Sequence, residues 1–306
     1  MRFRALLLLF IPMLASCLTP EPIKEQREIA NRAVRVNPVI AQPKYLDSDN
    51  FRLHYREIGT AELGVVLWVH GTPGAWRHGI RLMTNEDFTS SVKIVGIDRP
   101  GWGESQYLAE PRLIPAFEEQ ADLIAPLLER LHEENPGVPV IVVGHSLGGS
   151  LAPAIAVHYP DLVDGVIIAA GGVDPKLTGP RWYNRLATTW LVQRFIDDRM
   201  KAANVEIYAL RPQLRELESR WVELSIPVIG IQGAEDELVH PKNLDYVSKS
   251  FVNSHALMLE GQGHLLQVER SGLIAHCIKS MLTDDIDACI DSVSYTHLTL
   301  PTIYSV

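Results

Sequence analysis

Val138-Pro139-Val140-Ile141-Val142-Val143-Gly144-His145-Ser146-Leu147-Gly148-Gly149-Ser150-Leu151-Ala152 is the stretch that decides the fold. Val138–Val143 is short and rich in Val and Ile, the composition of a strand covered on both faces. Leu147–His158 follows with a helical pattern and small residues on its first turn. Ser146 therefore stands on a strand-to-helix turn so tight that neighbouring side chains would collide. That accounts for glycine two positions before it and two after it. A helix beginning at Leu147 aims its free N-terminal amides at the same place and favours negative charge there.

Outward from this turn the pattern repeats. Val65–Val69, Val92–Ile97, Val166–Ala170 and Pro227–Ile231 are further short apolar runs. Helical patterns lie between or after them, notably Ala116–Glu134 and Lys242–Phe251, with a last helix expected over Leu265–Leu282. Alternation of strand and helix predicts an α/β fold, a mostly parallel sheet with helices on both faces. The segment from Phe51 differs, alternating Phe51, Leu53 and Tyr55 with Arg52, His54 and Arg56, as a half-exposed antiparallel strand does. One insertion, at about 173–224, breaks the rhythm and reads as a small helical cap. Its aromatics, Trp182, Tyr183, Trp190, Phe195, Tyr208 and Trp221, are expected to form the cap's own core, with one or two lining an apolar pocket.

Five motifs occur in a fixed order. His70-Gly71-Thr72-Pro73-Gly74 follows the Val65–Val69 strand, and Asp98-Arg99-Pro100-Gly101-Trp102-Gly103-Glu104-Ser105 follows the next. Gly144-His145-Ser146-Leu147-Gly148 comes third. Gly233-Ala234-Glu235-Asp236 then ends a strand, and Gly263-His264 precedes the last helix. In these motifs, over roughly Phe51 to Leu282, the chain resembles the α/β-hydrolase superfamily, and in particular its serine hydrolases. The resemblance implies the α/β-hydrolase fold, a Ser, Asp, His order along the chain, and no cofactor or metal.

The residues support those roles chemically. Ser146 is a weak nucleophile until a base takes its proton, and His264, on a short glycine-bounded loop, is the candidate base. His145 competes by proximity, but its ring must point away from the adjacent serine. His78, His158, His240, His255 and His276 read as surface or core residues. The acid that orients the imidazole should end a strand. Asp236 fits best, Glu235 is the runner-up and Glu237 reads as a solvated charge. Asp98 is expected to hold its own turn. By resemblance, the backbone amides of Thr72 and Leu147 form the oxyanion hole, with Gly71 and Gly74 permitting close approach. Pro153, inside the helix after Ser146, is expected to remove a hydrogen bond and bend it.

The expected activity is acyl transfer to water from a small or medium ester, thioester or amide. A serine at the elbow argues against the epoxide hydrolase and dehalogenase branches, which resemble this chain but use aspartate. Proline iminopeptidase-like peptidases, which share an HGxPG loop, and cofactor-free perhydrolases remain alternatives, and a non-catalytic binding protein is a remote one.

The ends of the chain carry a separate message. Arg2 and Arg4, apolar Ala5–Leu14 and small Ala15 and Ser16 have the layout of a secretory signal over residues 1–16, too short to span a bilayer. Leu14-Ala15-Ser16-Cys17 resembles the bacterial lipobox, which implies a lipid on Cys17, an extracytoplasmic membrane-anchored protein and a membrane partner through that lipid. Leu18, rather than aspartate, after the cysteine leans toward the outer membrane. Residues 17–45 read as a tether, with a short helix near Lys24–Arg35, and 46–291 as the enzyme domain. Residues 293–306, VSYTHLTLPTIYSV, resemble the translation of a sequencing adaptor and are left out of the expected fold.

Composition fits this picture. The 306 residues are 46% hydrophobic and 21% charged, which excludes disorder and coiled coil. Formal charge is -9, so a nucleic-acid partner is not expected. Three cysteines, Cys17, Cys277 and Cys289, offer neither a disulfide framework nor a metal-site pattern.

Overall fold

The computed structural model describes residues 21–294; the leader, Cys17 and residues 295–306 lie outside the described residues. The strands are β1 (Lys44–Ser48), β2 (Phe51–Ile58), β3 (Gly64–Val69), β4 (Val92–Ile97), β5 (Gln106–Tyr107), β6 (Val140–His145), β7 (Gly165–Ala169), β8 (Val228–Gly233) and β9 (Ser254–Leu259). They form one sheet in the order β1-β2-β4-β3-β6-β7-β8-β9, with β5 beside β2. The pairs β1/β2, β2/β4 and β2/β5 are antiparallel. From β4 through β9 every pair is parallel. The fold is thus the α/β architecture expected, with β1 and β9 added at its edges.

Alternation within the central strands explains why the sheet needs cover on both sides. Val65, Leu67 and Val69 of β3 enter the core on one face, and Val66 and Trp68 enter the core on the other. Val140 and Val142 against Ile141 and Val143 repeat this in β6. Each such side chain, fully buried, stabilises by about 1.5–3 kcal/mol.

The longer helices are α1 (Glu21–Val36), α2 (Phe117–Glu134) and α3 (Leu147–His158). The cap contributes α4 (Trp182–Ala187), α5 (Trp190–Gln193) and α6 (Asp198–Leu217) between β7 and β8. Then come α7 (Asn243–Ser250), α8 (Leu266–Glu269), α9 (Ser271–Leu282) and α10 (Ile286–Ser294). α2, α3 and the Leu210, Leu214 and Leu217 side of α6 cover one sheet face; α1 and α9 cover the other. α3 is buried almost all round, and it continues through Pro153 to His158.

Four expectations need correction. Residues 21–45 are not a free tether, because α1 buries Gln26, Ala30 and Ala33 and β1 joins the sheet. The cap aromatics do not share a core: Trp221 is fully buried against Phe251 in the main core, whereas Trp182, Trp190 and Phe195 are about three-quarters exposed. The helix expected over 265–282 is two helices with a break at Arg270. Finally, Cys277 and Cys289 form a disulfide joining α9 to α10, a pairing that cysteine number and spacing alone did not reveal.

Candidate active site

The parallel strands all end on the same edge of the sheet, and the residues singled out in the sequence gather there. Ser146, between β6 and α3, has φ +58° and ψ -123°, a conformation that side chains rarely adopt. Its N–H donates to the Ala169 carbonyl at 2.9 Å. The flanking glycines are forced: a Cβ on Gly144 would stand 2.0 Å from the Gly148 carbonyl oxygen, and one on Gly148 would stand 2.2 Å from that of Val69.

His264 Nε2 lies 3.0 Å from Ser146 Oγ, and His264 Nδ1 lies 2.8 Å from Asp236 Oδ2. Asp236 is buried beyond the end of β8 and receives the amides of Leu238 and Val239, both at 2.8 Å, and the Gln232 side chain at 2.9 Å. Burial alone would raise its pKa. Hydrogen bonds from His264 and the two amides outweigh that and hold the carboxyl below its ordinary value. Glu235 and Glu237 are exposed and take no part in this array.

The His70–Gly74 loop passes directly over the serine. A Cβ on Gly71 would stand 2.7 Å from Ser146 Cβ, so only glycine permits the approach. Leu147 is the first helical residue of α3, where the amide has no intrahelical acceptor. Thr72 and its cis bond to Pro73 lie in the same loop. Asp98 holds its turn as expected, accepting from Trp76 N and Glu104 N and facing His54 Nδ1 at 2.9 Å.

Comparisons with known proteins bear on the fold. A family model described as Serine aminopeptidase, S33, matches residues 62–206, which include the His70 loop, the Asp98 turn and the serine elbow. A 2-hydroxy-6-oxononadienedioate/2-hydroxy-6-oxononatrienedioate hydrolase of Burkholderia vietnamiensis is 30% identical over 58% of this chain and 61% of its own. Mouse epoxide hydrolase 4 is 27% identical over 45% of this chain and 39% of its own. The chain therefore spans less than two thirds of the length of these curated relatives. A membrane phospholipase A described as a bacterial virulence factor superposes with TM-score 0.61 at 19% identity, over 93% of this chain and 98% of its own. A monoacylglycerol lipase of Paleococcus ferrophilus gives 0.58 at 18%, over 76% and 99%. The chain has the α/β-hydrolase fold.

Three further residues shape the site in roles that the sequence reading did not assign. His145 Nε2–H donates to the His264 carbonyl at 2.9 Å, pinning the histidine loop to the elbow. Burial, and then the neighbouring His264, push the His145 pKa down to about 3, so it stays neutral. Arg99 is fully buried; its N–H donates to His70 Nε2 and its guanidinium to the carbonyls of His70 and Gly71. His70 Nδ1–H donates to Gly71 O at 2.7 Å, completing the brace beneath the loop. The third residue is Glu206 of α6, whose carboxylate pairs with Arg99 at 2.8 and 3.0 Å and accepts from Trp102 Nε1 at 3.0 Å. The cap is thereby tied to the loop over the serine. No signal could have paired Arg99 with Glu206 in the sequence, since they stand far apart along the chain.

Proposed function

We propose that this protein is a serine hydrolase that transfers an acyl group from an ester or thioester to water. The carrying observation is the continuous Asp236, His264 and Ser146 array on a strained turn beneath the His70–Gly74 loop. His264 Nε2 takes the Ser146 proton as Oγ attacks the carbonyl, while Asp236 keeps Nδ1 protonated and stabilises the imidazolium. Charge on the tetrahedral oxygen falls to the amides of Thr72 and Leu147. The imidazolium then protonates the leaving group, and a water activated by the same histidine cleaves the acyl-enzyme.

Serine at position 146 sets this reading apart from an aspartate-based epoxide opening, despite the similarity to epoxide hydrolases. An aminopeptidase would also need a carboxylate free to hold the substrate's cationic amino group. Glu206, the buried cap carboxylate, is already paired with Arg99 and Trp102, which favours an ester or thioester. We further propose that Cys17 carries a lipid and that the enzyme works outside the cytoplasm. The Cys277–Cys289 disulfide supports that compartment, since such bonds persist where the environment is oxidising.

A fluorophosphonate probe should label the wild-type protein at Ser146, and Ser146→Ala should abolish labelling. Folded wild-type protein that resists the probe would overturn the serine hydrolase reading. Acyl esters of increasing chain length, assayed beside proline arylamides, then separate esterase from peptidase.

A further inference from the structure

The cap carries a surface that the catalytic reading leaves unexplained. Trp182 is 70% exposed, Trp190 74% and Phe195 79%, with Leu186 and Leu191 exposed between them. Single exposed apolar side chains are ordinary, but three large aromatics in residues 182–195 mark a surface that meets something. The same region is basic in an acidic chain: Lys176, Arg181, Arg185, Arg194, Arg199 and Lys201 stand against Asp197 and Asp198. Asp198 is already taken by Lys201 at 2.8 Å. Aromatic rings interleaved with exposed guanidiniums are the composition of a segment lying in the plane of an anionic lipid surface.

The N-terminal helix places that surface on the correct side. α1 packs against the turn Trp76–Gly79 and against α8, which follows His264, and Gln26 Nε2 donates to His78 O at 2.8 Å. Arg77, whose pKa is lowered first by burial, feels the guanidiniums of both cap Arg199 and α1 Arg27. α1 thus runs beside the turn that follows β3 and the helix that follows His264, at the catalytic edge of the sheet. Cys17 precedes Glu21 by four residues, a reach of at most about 14 Å.

We propose that residues 182–195 lie on an anionic bilayer, with the Trp182, Trp190 and Phe195 rings among the headgroups and Arg185 and Arg194 on lipid phosphates. The catalytic edge then faces the membrane, and the substrate class it meets first is an acyl chain carried by lipid. A second copy of the chain is the poorer occupant, because a two-fold contact would set one basic cap against another. The surface itself does not depend on the serine hydrolase reading; only the lipid-borne substrate does.

The test uses the chain from Leu18 onward, which has neither leader nor lipidation site and retains every described residue. Flotation is measured with vesicles of phosphatidylglycerol and phosphatidylethanolamine, and with phosphatidylcholine alone. The expected result is binding to the anionic vesicles, weakened by salt and reduced about tenfold or more by Arg185→Glu with Arg194→Glu. Trp182→Ser, Trp190→Ser and Phe195→Ser together should have a similar effect while leaving the circular dichroism spectrum unchanged. If the triple variant misfolds, the charge variant and the salt dependence decide. Equal binding to both vesicle types, no binding, or dimers that the triple variant dissociates would overturn the proposal. Since no readout is enzymatic and no lipid is attached, failure here leaves the catalytic and anchoring readings standing.

Discussion

Asp236 and Glu235 are neighbours in sequence and opposites in environment. The first is buried among four donors, and the second is exposed with only its backbone engaged, donating to Gln262 O at 2.9 Å. Asp236→Asn should lower kcat by about ten-thousand-fold with the fold intact, because the asparagine favours the wrong histidine tautomer. Glu235→Gln should change kcat less than threefold, on the reasoning that an exposed side chain outside the array contributes little. Steady-state kinetics on any accepted ester decide, and the reverse ranking would assign the acid to Glu235. At this scale the sequence was informative where a residue's role follows from its immediate neighbours. Ser146 sits between obligatory glycines and His264 follows Gly263, so both could be read locally. His145 could be read only by exclusion: the adjacent serine turned its ring away, but nothing local named the His264 carbonyl as its acceptor.

Between elements, the Arg99 to Glu206 pair is a buried ion pair that joins the cap to the loops at the sheet's catalytic edge. Removing one member of a buried pair leaves the other charged and without its counter-charge, so Glu206→Ala should cost about 3 kcal/mol or more. Turnover should fall with it, since Arg99 also braces the carbonyls of His70 and Gly71. Arg99→Met combined with Glu206→Leu should recover much of the stability but not the turnover. Urea unfolding and kcat measured on the same preparations separate the two effects. Wild-type stability and turnover in Glu206→Ala would mean that the pair joins nothing of consequence. The parallel strands were legible because both of their faces are apolar, a property written along each strand. Docking of α1 was not, because only Gln26, Ala30 and Ala33 are buried and small residues give a weak stripe. The cap aromatics misled for a related reason: composition counts rings but says nothing of what lies across from them.

Across the whole molecule, three histidines are held neutral by burial. The His70 pKa lies well below its ordinary value, His78 is lowered to about 4 and His145 to about 3. Burial leads in each case, followed by the neighbouring Arg99, Arg77 or His264 respectively. An unfolded chain protonates these rings near pH 6.5. Below that pH the unfolded state therefore binds protons that the native state refuses, and stability falls as pH falls. The full contribution is present above about pH 6.5 and is lost progressively toward pH 4 and 3. Urea midpoints should drop from pH 7 to pH 5, a window above the titration of Asp236, whose carboxyl is depressed. A level midpoint across that window would show that the three rings are not held neutral.

The buried carboxylate of Glu206 also divides the cap into two parts that should open independently. α6 carries Glu206 and sinks Leu210, Leu214 and Leu217 into the main core, so detaching it means breaking an ion pair in the dry interior. Residues 182–195 have no comparable hold, and every aromatic ring there is at least partly in solvent. Amide hydrogen exchange should report two distinct opening free energies. Protons on the core side of α6 should exchange only with near-global unfolding, and those of α4 and α5 through local excursions. The cap would then behave as a fixed beam with a loose apron. Uniform protection along residues 182–217 would instead make the cap a single cooperative unit.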